Sequence, residues 1–259
     1  MHKVIVAIAL TTMISGALAS HSSAVTIMDN YFGGDPRMVA VDFDINGSNE
    51  NYDVSKAEIQ LSGMMLTVDI YSRYFDNIGA GYTALGDLFL STNGWTPIGV
   101  APYGSDRYGI AGKTDWEYAL VLGSHSPDLN STTNGLTYLY AVVDSGILTS
   151  DEVMPSGSSY HQSQEVQYQG TVPTSIKEGS WQVFNFGGVD TDDFLRFTID
   201  VSSISGFNLD DLAIHWTMTC ANDIIEGSAR SPVPEPMTMA LFGTGLLGLA
   251  GNALWKRKK

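Results

Sequence analysis

The chain has 259 residues, of which 44% are hydrophobic and 16% charged, with 28 acidic against 13 basic side chains and a formal net charge of −15. That is the composition of a folded chain, long enough for one domain with a real core and too short for a large multidomain assembly. So acidic a body repels phosphate backbones and lacks the basic stripe that nucleic-acid binding needs.

The first element is a leader. Met1, His2 and Lys3 precede an apolar run from Val4 to Leu10, a polar break at Thr11 and Thr12, and a second apolar run from Met13 to Ala19. A short basic start, an apolar centre and a small-residue exit predict a secretory signal peptide over residues 1–24, cleaved after Ala19 or Ala24. A retained membrane anchor is the alternative, although the apolar stretch is shorter than the ~20 residues of a span.

Residues 25–228 follow period two almost throughout. Leu195, Phe197, Ile199 and Val201 alternate with Arg196, Thr198, Asp200 and Ser202, which describes a strand with one buried face. Ala57-Glu58-Ile59-Gln60-Leu61 behaves likewise, as do Leu66, Val68 and Ile70. Trp116, Tyr118, Leu120 and Leu122 form one apolar stripe, and Leu136, Tyr138, Tyr140 and Val142 another after the turn signal Asn134-Gly135. Asn46-Gly47 and Asn93-Gly94 punctuate elsewhere. Short strands, polar turns and 27 glycines predict an all-β fold, a single antiparallel β-sandwich with jelly-roll-like connectivity, in one domain.

With a single cysteine, no intramolecular disulfide can form. Alternation places Leu212, Ile214, Trp216, Met218 and Cys220 on one apolar face, and Ala213, His215, Thr217 and Thr219 on the other. Cys220 is therefore read as a core thiol, and a His215–Cys220 nucleophilic pair is disfavoured. Asn222-Asp223 is expected to close that strand as a turn.

Several residues are candidates for chemistry. Asp190, Asp192 and Asp193 follow a glycine pair and offer hard oxygens to Ca²⁺, the one cofactor considered; a solvated turn is the plainer alternative. Asp210-Asp211 reads as a turn. Glu117, Glu165 and Glu178 lie on strand-like segments and could supply the two carboxylates of a glycosidase, but the sequence cannot pair them. HExxH, GxSxG and Walker motifs are absent, and the five histidines show no metal spacing. Trp95, Tyr103 and Tyr108 sit among Gly, Asp and Asn in apparent loops, the setting in which exposed rings stack on sugars, so they are the glycan-contact candidates.

The last segment has three parts. Residues 229–236 form a linker ending in Val233-Pro234-Glu235-Pro236, residues 237–255 are apolar and uncharged, and Lys256-Arg257-Lys258-Lys259 follow. Paired prolines deny helix and favour an extended handle, the apolar stretch is long enough to span a bilayer, and the cations should hold the end in the cytoplasm. Within the stretch, Gly243-Thr244-Gly245-Leu246-Leu247-Gly248 matches a dinucleotide-binding pattern but lacks the strand that pattern requires.

This order of tripeptide, span and basic cap resembles the PEP-CTERM sorting signal of bacterial exosortase substrates. The resemblance implies export, transient anchoring in the inner membrane, recognition by an exosortase-type sorting enzyme, and delivery to the cell surface or exopolysaccharide matrix of a Gram-negative bacterium. The stretch from His215 to Asp223, with Gly86 to Ser91 and Gly94-Trp95, resembles a recurring subgroup of such surface proteins and implies a shared sandwich but no chemistry. The expected function is a non-enzymatic structural or glycan-contacting role, with extracellular polysaccharide as a partner. A secreted carbohydrate-active hydrolase is the alternative. Five of the basic residues lie in the leader and cap, so the exported body is more acidic than the whole chain.

Overall fold

The computed structural model describes residues 22–34, 50–78, 83–125, 133–154, 161–169, 175–186 and 193–230. These contain β1 (Ser22–Met28), β2 (Val54–Ser62), β3 (Met65–Ser72), β4 (Leu88–Ser91), β5 (Tyr118–Leu122), β6 (Asn134–Ala141) and β7 (Ile147–Thr149). A single helical turn, α1 (Ser150–Val153), leads to β8 (Glu165–Tyr168), β9 (Lys177–Phe184), β10 (Phe194–Asp200), β11 (Ala213–Thr217) and β12 (Ile224–Ser228).

The chain is all-β and antiparallel, as expected, but the strands do not divide into the two sheets of a sandwich. Among the described residues, hydrogen bonding runs through one ten-stranded sheet in the order β1-β2-β3-β10-β9-β6-β5-β4-β11-β12, with β7 and β8 forming a separate pair. The sheet curls until its ends meet, and β12 packs on β1 and β2. Gly227 makes that approach possible, because an added Cβ would lie 2.8 Å from Ile27 Cγ2. The result is a nearly closed barrel. The apolar span expected at 237–255 and most of the leader lie outside the described residues, in which no helix is long and apolar enough to cross a membrane.

Strict alternation built the strands it predicted. Leu66, Val68 and Ile70 on β3 and Leu195, Phe197 and Ile199 on β10 are buried, and they pack with Trp181, Trp216 and Phe75 in the main core. Each such side chain contributes roughly 1.5–3 kcal/mol by leaving water. Cys220 joins that core as a buried free thiol whose pKa is pushed up by burial, as its alternation implied.

Two predicted stripes are corrected. On β6 the interior positions are Thr137 and Leu139, whereas Leu136 is 45% exposed and Tyr138 half-buried. Asn134 and Gly135 begin this strand instead of turning the chain, with Gly135 lying beneath the Trp181 indole. Trp116 precedes β5 and leaves the stripe of Leu120 and Leu122, joining a second cluster with Phe89, Ala119, Ile147, Tyr168 and Ala213 on the outside of the barrel. That cluster is covered by the 92–117 loop and by β7 and β8, so both faces of β11 are buried.

The two segments that resemble other surface proteins meet in this region. Gly86 lies against β11, where an added Cβ would overlap the Thr217 carbonyl oxygen, and Trp216 Nε1 donates to Gly86 O at 3.1 Å. The fully buried Asp87 carboxylate accepts from Leu122 N (2.9 Å), Tyr168 N (2.8 Å) and His125 Nε2 (2.8 Å). Burial opposes a charge on His125, but the hydrogen bond to Asp87 and its charge outweigh that and raise the ring's pKa. Asn222-Asp223 is a turn as expected, with Asp223 buried and accepting from Val54 N (2.5 Å) and Ile224 N (2.8 Å).

Removing the Asp87 carboxylate orphans two buried backbone donors. Asp87→Ala should cost about 3–5 kcal/mol in urea denaturation. Exposed Glu178→Ala should stay within about 0.5 kcal/mol.

Candidate functional site

Trp95, Tyr103 and Tyr108 converge in the lobe that covers the outer cluster. Tyr103 has a left-handed backbone (φ 62°), a conformation costly for a bulky residue, and its ring stacks on Tyr31 (centroids 6.1 Å) and meets Trp95 edge-on (5.1 Å). Tyr108 donates to Asp144 O and lies under Lys113 Nζ, 4.6 Å from the ring centroid. All three rings are half-buried.

Beneath them is a crevice lined by Tyr31, Asp106, Arg107, Lys113, Glu165 and Glu226, among others. Asp106, Glu165 and Glu226 are each 4% exposed. Glu165 Oε1 accepts from Lys113 Nζ (2.9 Å) and Trp116 Nε1 (3.2 Å), and Glu226 Oε1 accepts from Trp95 Nε1 (2.8 Å). His215, fully buried, places Nδ1 2.7 Å from Glu226 Oε2 and Nε2 2.8 Å from the Glu165 carbonyl oxygen.

The Glu165 carbonyl oxygen can only accept, so Nε2 of His215 carries hydrogen, and an ionised Glu226 favours a second hydrogen on Nδ1. The pKa agrees: burial lowers it, but the hydrogen bond and charge of Glu226 win and it is raised. Asp106 is the opposite case. Burial, then the charge of Glu226, lift its pKa to about 6 against hydrogen bonds from Ile98 and Tyr31 that favour the anion. Burial and the three nearby carboxylates push the Tyr31 phenol well above its ordinary value. Among the described residues, Arg107 has no ion-pair partner.

The expected carboxylates do not meet. Glu165 is in the crevice, Glu117 caps the 92–93 turn by accepting from Thr92 N (2.6 Å) and Asn93 Nδ2, and Glu178 is exposed on β9. Asp106, Glu226 and His215 were missed as partners of Glu165. The one available signal was Glu226 itself, an acid interrupting the apolar strand that begins Ile224-Ile225. Free space in the crevice is ≈ 10 Å³, about that of a single water, so the carboxylates accept from protein donors and no sugar ring enters.

Of the calcium candidates, Asp190 and Asp192 lie outside the described residues, while Asp193 is buried and its Oδ1 accepts from Phe186 N at 2.9 Å. No group of three or more His, Cys, Asp or Glu among the described residues is arranged to hold a metal. Asp210 and Asp211 form an exposed turn closed by Asn208 Oδ1, which accepts from Asp211 N. Val233, Pro234, Glu235 and Pro236 and the cap Lys256, Arg257, Lys258 and Lys259 lie outside the described residues.

The crevice makes stability depend on pH. The folded pKa of Asp106 lies above its ordinary 3.8, so its ionisation weakens the fold as pH rises from about 4 through about 6. Asp106→Asn should therefore be more stable than the parent at pH 7.5, with the difference vanishing near pH 4, as measured by urea titration at both values.

Comparison with known proteins finds the PEP-CTERM protein-sorting motif at residues 232–258, which include Val233 to Pro236 and all of the basic cap except Lys259. No curated protein and no solved structure matches the chain. The motif supports export and sorting by an exosortase. This chain carries a PEP-CTERM protein-sorting motif at its C-terminal end.

Proposed function

We propose that this is an exported surface or exopolysaccharide-matrix protein with a non-enzymatic, glycan-contacting role. The observation that carries the reading is the sorting motif at residues 232–258. In this reading residues 1–24 hold the signal peptide, 237–255 anchor the chain transiently in the inner membrane, and Lys256 to Lys259 stay on the cytoplasmic side until the sorting enzyme acts.

Cleavage after Ala19 is favoured over Ala24. Strand β1 is paired from Ser22 onward, with Ser22 opposite Ser62 and Ala24 opposite Gln60, and the later cut would remove its first three residues. N-terminal sequencing of the exported protein should begin at Ser20.

Glycan contact is assigned to the rim of the crevice, where Trp95, Tyr103 and Tyr108 supply ring surface and Arg107 and Lys113 supply donors. The second reading, a carbohydrate-active hydrolase, is favoured by the raised pKa of Asp106 beside two other carboxylates, the pairing that glycosidases use. Against it stands the crevice, which has room for about one water.

Two experiments test these readings. Glu235→Ala, or truncation after Pro232, should change processing and location in the host without changing the thermal unfolding of the domain; unchanged processing refutes the sorting assignment. The exported protein should co-sediment with the host's exopolysaccharide and leave its chain length intact, and Trp95→Ala should weaken binding by about three- to tenfold. Chain shortening would replace the first reading by the hydrolase.

A further inference from the structure

A second surface lies on the opposite side of the barrel from the Trp95 crevice, on the outward face of β1, β2, β3, β10 and β9. Register arranges its side chains in rows that run across the strands. Lys56, Tyr71, Phe194 and Phe184 are cross-strand neighbours in one row. Thr26, Glu58, Asp69, Arg196 and Gln182 form the next, and Ala24, Gln60, Thr67, Thr198 and Ser180 the third. A depression of ≈ 310 Å³ opens over the β1–β3 end of the second and third rows, lined by Thr26, Glu58, Gln60, Thr67 and Asp69. That volume is at the lower end of those of ligand sites, roughly 300–1,000 Å³.

The rows differ in chemistry. The first is aromatic, with ring centroids 5.2 Å apart for Tyr71 and Phe194 and 4.6 Å for Phe194 and Phe184. The second is ionic but closed on itself. Arg196 forks onto Asp69 through Nε (2.7 Å) and an Nη (2.6 Å), while Glu58 accepts from Lys56 Nζ (2.6 Å) and from Tyr71 OH (3.0 Å). The third row carries hydroxyl and amide groups, and the Thr67 and Thr198 hydroxyls make no hydrogen bond within the described residues.

Each acid in the depression is matched by a cation on the same face, in a chain whose formal net charge is −15. Such a surface has no uncompensated charge with which to attract an ion. Its carboxylates keep lone pairs for hydroxyl donors, its clamped side chains need no reordering to bind, and an aromatic strip runs alongside, with Lys56 Nζ 4.2 Å from the Tyr71 ring centroid and the Arg196 guanidinium 5.1 Å from that of Phe194. We infer that this face binds an uncharged polysaccharide lying across the strands, with apolar C–H surface against the aromatic row and hydroxyls in the depression. It is separate from the Trp95 crevice and does not depend on glycan contact there.

The test is calorimetric titration of the purified full-length chain with cellohexaose, laminarihexaose and mannohexaose, and with a polygalacturonate oligomer as the charged counterpart. At least one neutral oligosaccharide should bind equally at low and high salt, and the charged one should not. Thr67→Arg, which fills the depression, and Tyr71→Ala should each weaken that binding by about tenfold, while Trp95→Ala leaves it unchanged. Exposed Gln60→Ala provides a milder variant should Thr67→Arg fail to fold, with a weakening of about threefold expected. Failure of every neutral oligosaccharide to bind, or binding indifferent to the groove variants, overturns the inference. Loss with Trp95→Ala alone assigns the sugar to the rim of the crevice and overturns this site while sparing the function proposed above. A dimer that Thr67→Arg dissociates would assign the face to a second copy of the chain and also overturn it.

Discussion

A carboxylate sealed from water must be supplied with hydrogen bonds, and Asp87 draws them from places far apart in the chain. Its two oxygens take the amide of Leu122 on β5, the amide of Tyr168 on β8 and the ring of His125. One side chain therefore ties the wall of the barrel to the β7–β8 pair outside it. Immediately before it, Gly86 lets β11 come close enough for Trp216 to reach the backbone of the same segment. The lobe that covers the outer cluster is seated on this seam, and the crevice is seated in the lobe. Unpaired burial of such a charge is among the more expensive things a fold can do, so the donors and the acceptor have to arrive together.

The sequence was most legible where one face of a strand meets water. β3 and β10 alternate strictly because Asp69, Arg196 and Thr198 lie outside while Val68, Phe197 and Ile199 lie inside. β6 was misread because both its faces carry large side chains, and the choice between them is made by Trp181 on β9, which fills the interior over Gly135. β11 was assigned correctly by alternation, yet its polar-looking face is buried too, since a loop from elsewhere in the chain covers it. Two sheets were expected where one curled sheet exists, because pairing of β10 with β3 and of β11 with β4 joins strands distant in sequence and leaves no local trace.

The candidate site shows the same limit at finer scale. Its rings could be picked out, since Trp95, Tyr103 and Tyr108 are large aromatics among turn residues. Its charges could not. Trp95 meets Glu226, and His215 meets the backbone of Glu165, across separations that only the folded chain abolishes. Sequence alone had offered Glu165 the company of Glu117 and Glu178, one of which caps a turn while the other faces solvent. What results is a polar interior in which His215 and Lys113 face the carboxylates, roofed by rings. The larger depression, by contrast, is built from ordinary exposed positions of regular strands, and becomes visible only once register sets the rows side by side.

The closure of the sheet has a mechanical meaning for a protein delivered by its tail. The chain leaves the barrel from the end of β12, whose backbone ladder among the described residues runs to β11 and whose Gly227 backbone meets the Ile27 side chain of β1. Any pull exerted through the sorting segment meets the hydrogen bond from Ala229 N to Leu212 O (2.7 Å) and then the pair Ala213 and Ser228, and runs down that ladder into the strand that carries His215 and Trp216. The same strand thus anchors the polar crevice on one face, the hydrophobic core on the other, and β12 at its edge.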